Sequence, residues 1–265
     1  MELAASSPGS FYDERYRAGY QRDLLESGYD ACVLAAVRWA LARSGLDRRE
    51  RVAVLDLGCG QGRYIPVLGE ALPDAALHGA DVSAVALELA AKRVGDAVLL
   101  EVDGQRVPAA DESFDLIVLV DVIEHVRDAE LTAAELRRLL KPGGVVVLTT
   151  PCANRGSIAW AYNAVSDGFE RTPDGTGRFS TDEPAHLRRL RSADAHGLLE
   201  RAGLRVRLTR FWGHLVTPVA DRVTVLPLRA RHRLAMLDWH LFRRLPNAGA
   251  MVLVAQRPLE GEVPR

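Results

Sequence analysis

Apolar positions fall into two alternating patterns along the chain. Residues 30–44 repeat them at helical spacing and stop near Gly45. From Val52 the pattern becomes continuous. VAVLDLG (52–58) is apolar almost throughout, as a strand buried on both faces requires. ALHGADVS (76–83), AVLLEVD (97–103), DLIVLVDVIEHV (115–126) and VVVLTTP (145–151) repeat that pattern. AVALELAAKRVG (84–95) reads as a helix ending in glycine, and LTAAELRRLLKPGG (131–144) as an amphipathic helix stopped by Lys141-Pro142-Gly143-Gly144. A further helix runs from Ser192 to Gly203, followed by strand-like LRVRLTRFWG (204–213) and GAMVLVAQRP (249–258). Such strand–helix alternation predicts a doubly wound α/β fold with a mostly parallel sheet. The ligand site of such a sheet lies at the carboxyl ends of its strands.

Residues 152–186 break this texture. They are rich in Gly, Pro, Asp, Ser and Thr around the aromatic island IAWAYNAV, and too long for an ordinary connection, which marks a functional insertion. Residues 214–248 are rich in Arg and His. Within them 229–244, with Leu234, Leu237 and Leu241, read as a basic amphipathic helix: a solvated face, or a contact for an anionic acceptor or membrane surface. Near the N-terminus Tyr12, Tyr16 and Tyr20 recur at every fourth position, so a helix would align them on one face, either packed on the domain or serving as a lid. The expected organisation is one domain over 1–265, with a helical lid at 1–45, a cofactor-binding core at 46–151, and acceptor-binding insertions at 152–191 and 214–248.

Composition narrows the class. With 265 residues and 48% hydrophobic content the chain can bury a large core. Its 34 basic and 35 acidic residues leave a net charge of -1, against a global basic field for nucleic acid. Three cysteines, Cys32, Cys59 and Cys152, are too few and too scattered for a disulfide framework or a zinc cluster, and fit a reducing cytoplasmic setting. MELAASSPGS carries no secretory pattern, and the apolar run ACVLAAVRWALA is broken by Arg38 and too short to span a bilayer. No integral membrane segment is expected.

The chemistry concentrates at strand ends. Gly58, Gly60 and Gly62 follow a buried strand, where the absence of Cβ atoms permits a sharp turn and close ligand approach. Their G-x-G-x-G spacing differs from the dinucleotide fingerprint. Asp81 ends the second strand, where a carboxylate can accept both hydroxyls of a ribose or cap a helix, although Ser83 is the better cap. Asp103 and Gly104 end the third strand, and can meet a base edge or simply form a turn. Asp121 follows the fourth. Asp56 lies inside the first strand, where a buried carboxylate needs donors or a cationic ligand.

VLDLGCGQGRY, GADVS, EVDGQRVPAADESFDLIVLVDVIEHV and LLKPGGVVVLTTP, in that order over residues 52–151, resemble the class I S-adenosylmethionine-dependent methyltransferases. DEPAHLRRLRSADAHGLLERAGLRV (182–206) more loosely resembles the branch that acts on quinones, sugars and bacterial secondary metabolites. The resemblance implies a Rossmann-like, seven-stranded, mostly parallel sheet with an antiparallel last strand, and S-adenosylmethionine as cofactor. It assigns Asp56 and the Gly58–Gly62 loop to the methionine part, Asp81 to the ribose, and Val82 to packing on the adenine. Asp103 and Gly104 would read the adenine edge, and the backbone at Val120 and Asp121 would face the methionine ammonium.

Methyl transfer from a sulfonium needs alignment and, for a hydroxyl acceptor, a general base. His125, His186 and His214 are the candidate bases. No metal-dependent variant is expected, since Asp121 and Glu124 alone make no carboxylate cluster. The leading expectation is O-methylation of a small molecule, a secondary metabolite or quinone-like acceptor. N-methylation of an amino sugar is the near alternative. A nicotinamide-dependent oxidoreductase and a catalytically silent cofactor-binding protein are the readings from other classes.

Overall fold

The apolar runs become strands of one sheet. The computed structural model describes residues 8–20, 25–46, 51–165, 169–172, 176–179, 185–223, 225–259 and 261. Its strands are β1 (Ala53–Leu57), β2 (Ala76–Asp81), β3 (Val98–Glu101), β4 (Phe114–Val120), β5 (Leu140–Pro151), β6 (Phe169–Arg171), β7 (Gly177–Phe179), β8 (Arg205–Trp212) and β9 (Ala250–Gln256). Its helices are α1 (Pro8–Arg17), α2 (Gly28–Leu41), α3 (Ile65–Ala71), α4 (Ala84–Ala91), α5 (Ala129–Leu139), α6 (Ile158–Val165), α7 (Ser192–Arg201), α8 (Val216–Arg222) and α9 (Leu228–Phe242).

Seven strands form the sheet in the order β3-β2-β1-β4-β5-β9-β8. The first five run parallel, and β9 is antiparallel to both β5 and β8. This is the Rossmann-like sheet expected, with its last strand reversed. Side-chain alternation sorts the strands into two apolar layers. Leu55, Ile117, Leu119, Val146 and Leu148 join α5 and α7 on one face. Val54, Leu116, Val118, Val145 and Val147 join α2, α3 and α9 on the other. The order reverses between β1 and β4, so their carboxyl ends open the crevice where such sheets bind ligands.

Two boundaries differ from expectation. The helix stopped by Lys141-Pro142-Gly143-Gly144 ends at Leu139, as expected, but the fifth strand, expected from Val145, begins at Leu140, which pairs with Phe114. Pro142 disfavours helix at Lys141, and residues 141–144 form an irregularity in β5 before pairing resumes between Leu116 and Val145. The fourth strand stops at Val120 instead of running to residue 126. Asp121 takes a left-handed φ of 53°, and residues 122–125 turn back through a hydrogen bond from His125 N to Val122 O.

The insertion after β5 is closed at its base. Cys152 and Leu190 form a bridge, and Ala153 N donates to Leu190 O. Between these ends lie α6 and the β6–β7 hairpin. Part of the expected 152–191 acceptor segment lies outside the described residues, as do residues 1–7 and 21–24 of the expected lid. The leucine stripe of α9 is not its buried face. Ala235, Asp238 and Trp239 are buried, while Leu237 and Leu241 are exposed, because Trp239 packs on Trp39 and Trp212. Among the described residues no helix is long and apolar enough to cross a membrane.

The inward side of α9 carries a charge. Asp238 is fully buried and accepts from His214 N (3.1 Å), Thr217 N (3.0 Å) and His214 Nδ1 (3.1 Å). Burial alone would raise its carboxyl, but the hydrogen bonds from His214 and Thr217 outweigh burial and hold it below the usual carboxylate range. A depressed folded pKa stabilises above the unfolded value, about 3.9, and that contribution disappears as pH falls through the folded pKa. Asp238→Ala is therefore expected to lower stability at pH 7 by about 2–3 kcal/mol in urea unfolding. The gap between variant and wild type should narrow below about pH 4. An equal gap at both pH values would show that packing, not the carboxylate, carries the effect.

Candidate active site

The glycine loop is shaped by its neighbours. Gly58, Gly60 and Gly62 take φ values of 75°, 52° and 72°, a region open to glycine at little cost. Gly58 N and Cys59 N both donate to Ala80 O, at 2.7 and 3.0 Å, which ties the loop to β2. A Cβ on Gly58 would meet Val122, and one on Gly60 the Tyr16 hydroxyl, each closer than 3.0 Å.

Asp81 holds this loop. Its carboxylate accepts from Gly60 N (2.8 Å) and Ser83 N (2.9 Å), while the Ser83 side chain caps α4 by accepting from Ala86 N. Val82 is half-buried between them. Asp103 and Gly104 lie two residues beyond β3 in an exposed turn, closed by paired backbone bonds between Asp103 and Arg106, with Gly104 at a φ of 64°. Val120 and Asp121 end β4 beside the loop. Asp121 accepts from Thr149 Oγ1 (2.9 Å) and from Tyr29 of α2 (3.2 Å).

Four carboxylates therefore line the edge of β1, β2 and β4: Asp56, Asp81, Asp121 and Glu124. None forms an ion pair among the described residues, and Asp56 Oδ2 and Glu124 Oε1 are buried with no hydrogen-bond partner. Burial, with the nearby Asp81 charge, pushes Asp56 up to about 7. Burial outweighs the bonds from Thr149 and Tyr29 and raises Asp121 to about 6. Asp81 is raised by burial against its backbone donors, and Glu124 well above the usual range by burial and by Asp121.

Helix α1 lies across this edge. Asp13 accepts from Ser83 Oγ (2.6 Å) and Val85 N (3.2 Å), which pins α1 to the start of α4. Tyr16 is buried over Gly60, and Tyr20, just past the helix, packs edge-on against it at 5.7 Å. Tyr12 meets the ring of His125 edge-on at 6.2 Å. His125 and His186 stand with ring centroids 4.7 Å apart. His214 does not join them. It is buried with Nδ1 on Asp238 and Nε2 on Leu245 O (2.8 Å), so both ring nitrogens are committed to the fold and it leaves the set of candidate bases. Asp13, Tyr29 and Thr149 were absent from the sequence reading. Nothing in spacing marks them, because each reaches the site from another element.

Known proteins resemble this chain in sequence and fold. Residues 55–148 match the methyltransferase domain family. Over 221 residues the chain is 31% identical to the methyltransferase GfsG of Streptomyces halstedii, covering 77% of this chain and 74% of that one. The chain belongs to the S-adenosylmethionine-dependent methyltransferases. It is also 27% identical over 192 residues to a ubiquinone biosynthesis O-methyltransferase of Mesorhizobium japonicum, spanning 68% of this chain and 72% of the relative. Two solved methyltransferases share the fold. One, in complex with the Trm112 activator of Haloferax volcanii, aligns with a TM-score of 0.60 at 21% identity, over 96% of this chain and 100% of that one. The other, from Mesorhizobium loti, has a TM-score of 0.54 at 19% identity, over 83% and 97%.

The methyltransferase's own residues fit its cofactor. S-adenosylmethionine carries a sulfonium and an ammonium, and the partnerless Asp56 oxygen offers a buried anionic acceptor at the glycine loop. Cation binding favours the ionised carboxylate, so binding releases protons from groups that titrate at about 7 and about 6. Affinity for S-adenosylmethionine in calorimetry should therefore rise from pH 5 to pH 8. Asp56→Asn should flatten much of that rise and weaken binding at pH 8 by about 10–100-fold. Wild-type affinity that does not change across this range would overturn the assignment of Asp56 to the cofactor.

Proposed function

We propose that this methyltransferase transfers a methyl group to a hydroxyl oxygen of a small molecule, of secondary-metabolite or quinone type. The observation that carries this reading is the pair of imidazoles, His125 and His186, at the end of β4 next to the cofactor loop. A hydroxyl acceptor needs a proton acceptor at this place, whereas a carboxylate acceptor would not. Two relatives agree in class: a methyltransferase of Streptomyces and a ubiquinone biosynthesis O-methyltransferase.

The bound cofactor supplies an electrophilic methyl on a positively charged sulfur. The chain's residues do the rest. His125 Nδ1 lies 2.9 Å from Ala185 O, and a carbonyl only accepts, so Nδ1 carries the proton and Nε2 holds a lone pair. That lone pair, or one on His186, can take the acceptor proton. Tyr12 and Tyr16 cover the cleft and keep water from the reacting atoms. The roles of Asp81 at the ribose, of Val82, Asp103 and Gly104 at the adenine, and of the Val120–Asp121 backbone at the ammonium belong to this proposal. So does the division into lid, cofactor core and acceptor-binding insertions. Three cysteines that stand as free, buried thiols support a cytoplasmic setting.

The test is release of S-adenosylhomocysteine with a panel of catechols, hydroquinones, aliphatic alcohols and amino sugars. Turnover confined to hydroxyl acceptors, with a new methoxy signal in the product, is expected. Turnover confined to the amines would overturn the oxygen reading. With an active hydroxyl acceptor, His186→Ala should lower kcat by about 100-fold while S-adenosylmethionine affinity stays within about twofold. An unchanged kcat would remove His186 from the site.

A further inference from the structure

We propose that Glu124, His125 and His186 form a binding site for one divalent transition-metal cation at the acceptor end of the cleft. The inference rests on the reading of this end as the acceptor pocket, and it adds a cation where the sequence analysis expects none. One ligand atom from each of the three side chains lies within 4.8 Å of the others. Metal–ligand bonds of about 2.1 Å would draw these atoms in by small side-chain rotations.

Three independent features mark the cluster as built. Glu124 is 1% exposed; its Oε2 accepts from Thr150 Oγ1 at 3.0 Å, while Oε1 is buried with no hydrogen-bond partner. An unpaired oxygen of that kind costs free energy unless a donor or cation reaches it. The Nδ1–H of His125 donates to Ala185 O, the second-sphere bond that in metal sites fixes the tautomer and presents Nε2 to the ion. The two segments are also joined by backbone. Leu187 N donates to Glu124 O at 2.8 Å, and the buried Arg188 guanidinium donates to the carbonyls of Ile123, Val126 and Arg127. His186 is thus held beside residues 124–125 on both sides, although it comes from a distant part of the chain.

The donor set selects the ion. Two imidazoles and one carboxylate suit Zn²⁺, Co²⁺ or Mn²⁺, whereas Mg²⁺ and Ca²⁺ prefer oxygen. Three protein ligands leave positions open for the acceptor. A hydroxyl that completes the coordination is acidified and sheds its proton to solvent as it binds, so that it stands in the water-excluded cleft as the metal-bound alkoxide. Its oxygen lone pair then forms the new C–O bond, while the C–S electron pair stays on sulfur. Metal coordination and imidazole base catalysis use the same lone pairs, so with the cation bound the first replaces the second.

The experiment uses the full chain, freed of metals by a chelator, titrated with Co²⁺ and read by visible absorption. One equivalent is expected, with micromolar or tighter affinity and no displacement by millimolar Mg²⁺. Glu124→Gln and His186→Ala should each weaken Co²⁺ by tenfold or more, with S-adenosylmethionine affinity and the circular-dichroism melting curve retained. If Glu124→Gln fails to fold, the half-buried His186→Ala decides alone. No Co²⁺ binding by the wild type, or undiminished binding by the folded variants, overturns the site. Undiminished methylation of a hydroxyl acceptor by metal-free protein overturns the cation's part in the reaction but keeps the oxygen reading. Co²⁺ binding at this cluster with turnover of amines alone keeps the site and overturns that reading.

Discussion

The row of buried carboxylates is the constraint from which the rest follows. Asp56, Asp81, Asp121 and Glu124 stand at the carboxyl ends of β1, β2 and β4 with no ion pair among the described residues. Desolvation raises all four, so the protein holds there an electrostatic cost that a neutral core would not carry. The cost is tolerable because backbone N–H groups and side-chain hydroxyls donate to two of the four. Gly60 and Ser83 stabilise Asp81, and Thr149 and Tyr29 stabilise Asp121. Asp56 Oδ2 and Glu124 Oε1 are left over, one at the glycine loop and one at the acceptor end. A cofactor with a sulfonium and an ammonium would answer the first, and the proposed cation the second.

Backbone geometry serves the same edge. A strand that continued past Val120 would carry Asp121 into the sheet. Its left-handed φ instead turns residues 122–125 back, so that Val122 backs the glycine loop and Glu124 and His125 enter the acceptor end. Non-glycine residues adopt that conformation at a cost of order 1–3 kcal/mol. Here the backbone is fixed by two bonds from Asp121 N to Thr149. The strain and the uncompensated charge sit within a few residues of each other, where local preference yields to site geometry.

The sheet was legible because burial on both faces leaves continuous apolar runs, and β1, β4, β5 and β9 each show one. Boundaries failed where tertiary forces overrule local pattern. The apolar run at 115–126 conceals the break at Asp121, and the amphipathic pattern of 131–144 conceals the entry of Leu140 into the sheet. Of the site, residues on strand ends were readable, since topology alone places them together. Contacts between His125 and the segment at 185–186 were not, because sixty residues of chain separate them and no spacing rule spans that distance. His214 was misjudged for a related reason: its partner Asp238 lies on α9, whose inward face the exposed leucines disguised.

The position of α1 ties its own order to the strand edge it lies across. A ten-residue helix with only Tyr16 buried is too short to persist by itself in water. Its order comes from Asp13 at the start of α4 and from Tyr16 on the glycine loop, the same loop that Asp81 holds. Asp13 also adds a negative charge that raises Asp81, so a docked α1 increases the electrostatic cost of the edge it covers. A cation entering the cleft lowers that cost and thereby favours the docked helix. Docking in turn removes water, which strengthens the carboxylates' hold on the cation. If the cofactor binds at this edge, order in α1 and cofactor affinity are two sides of one linkage, and each must change the other by the same free energy.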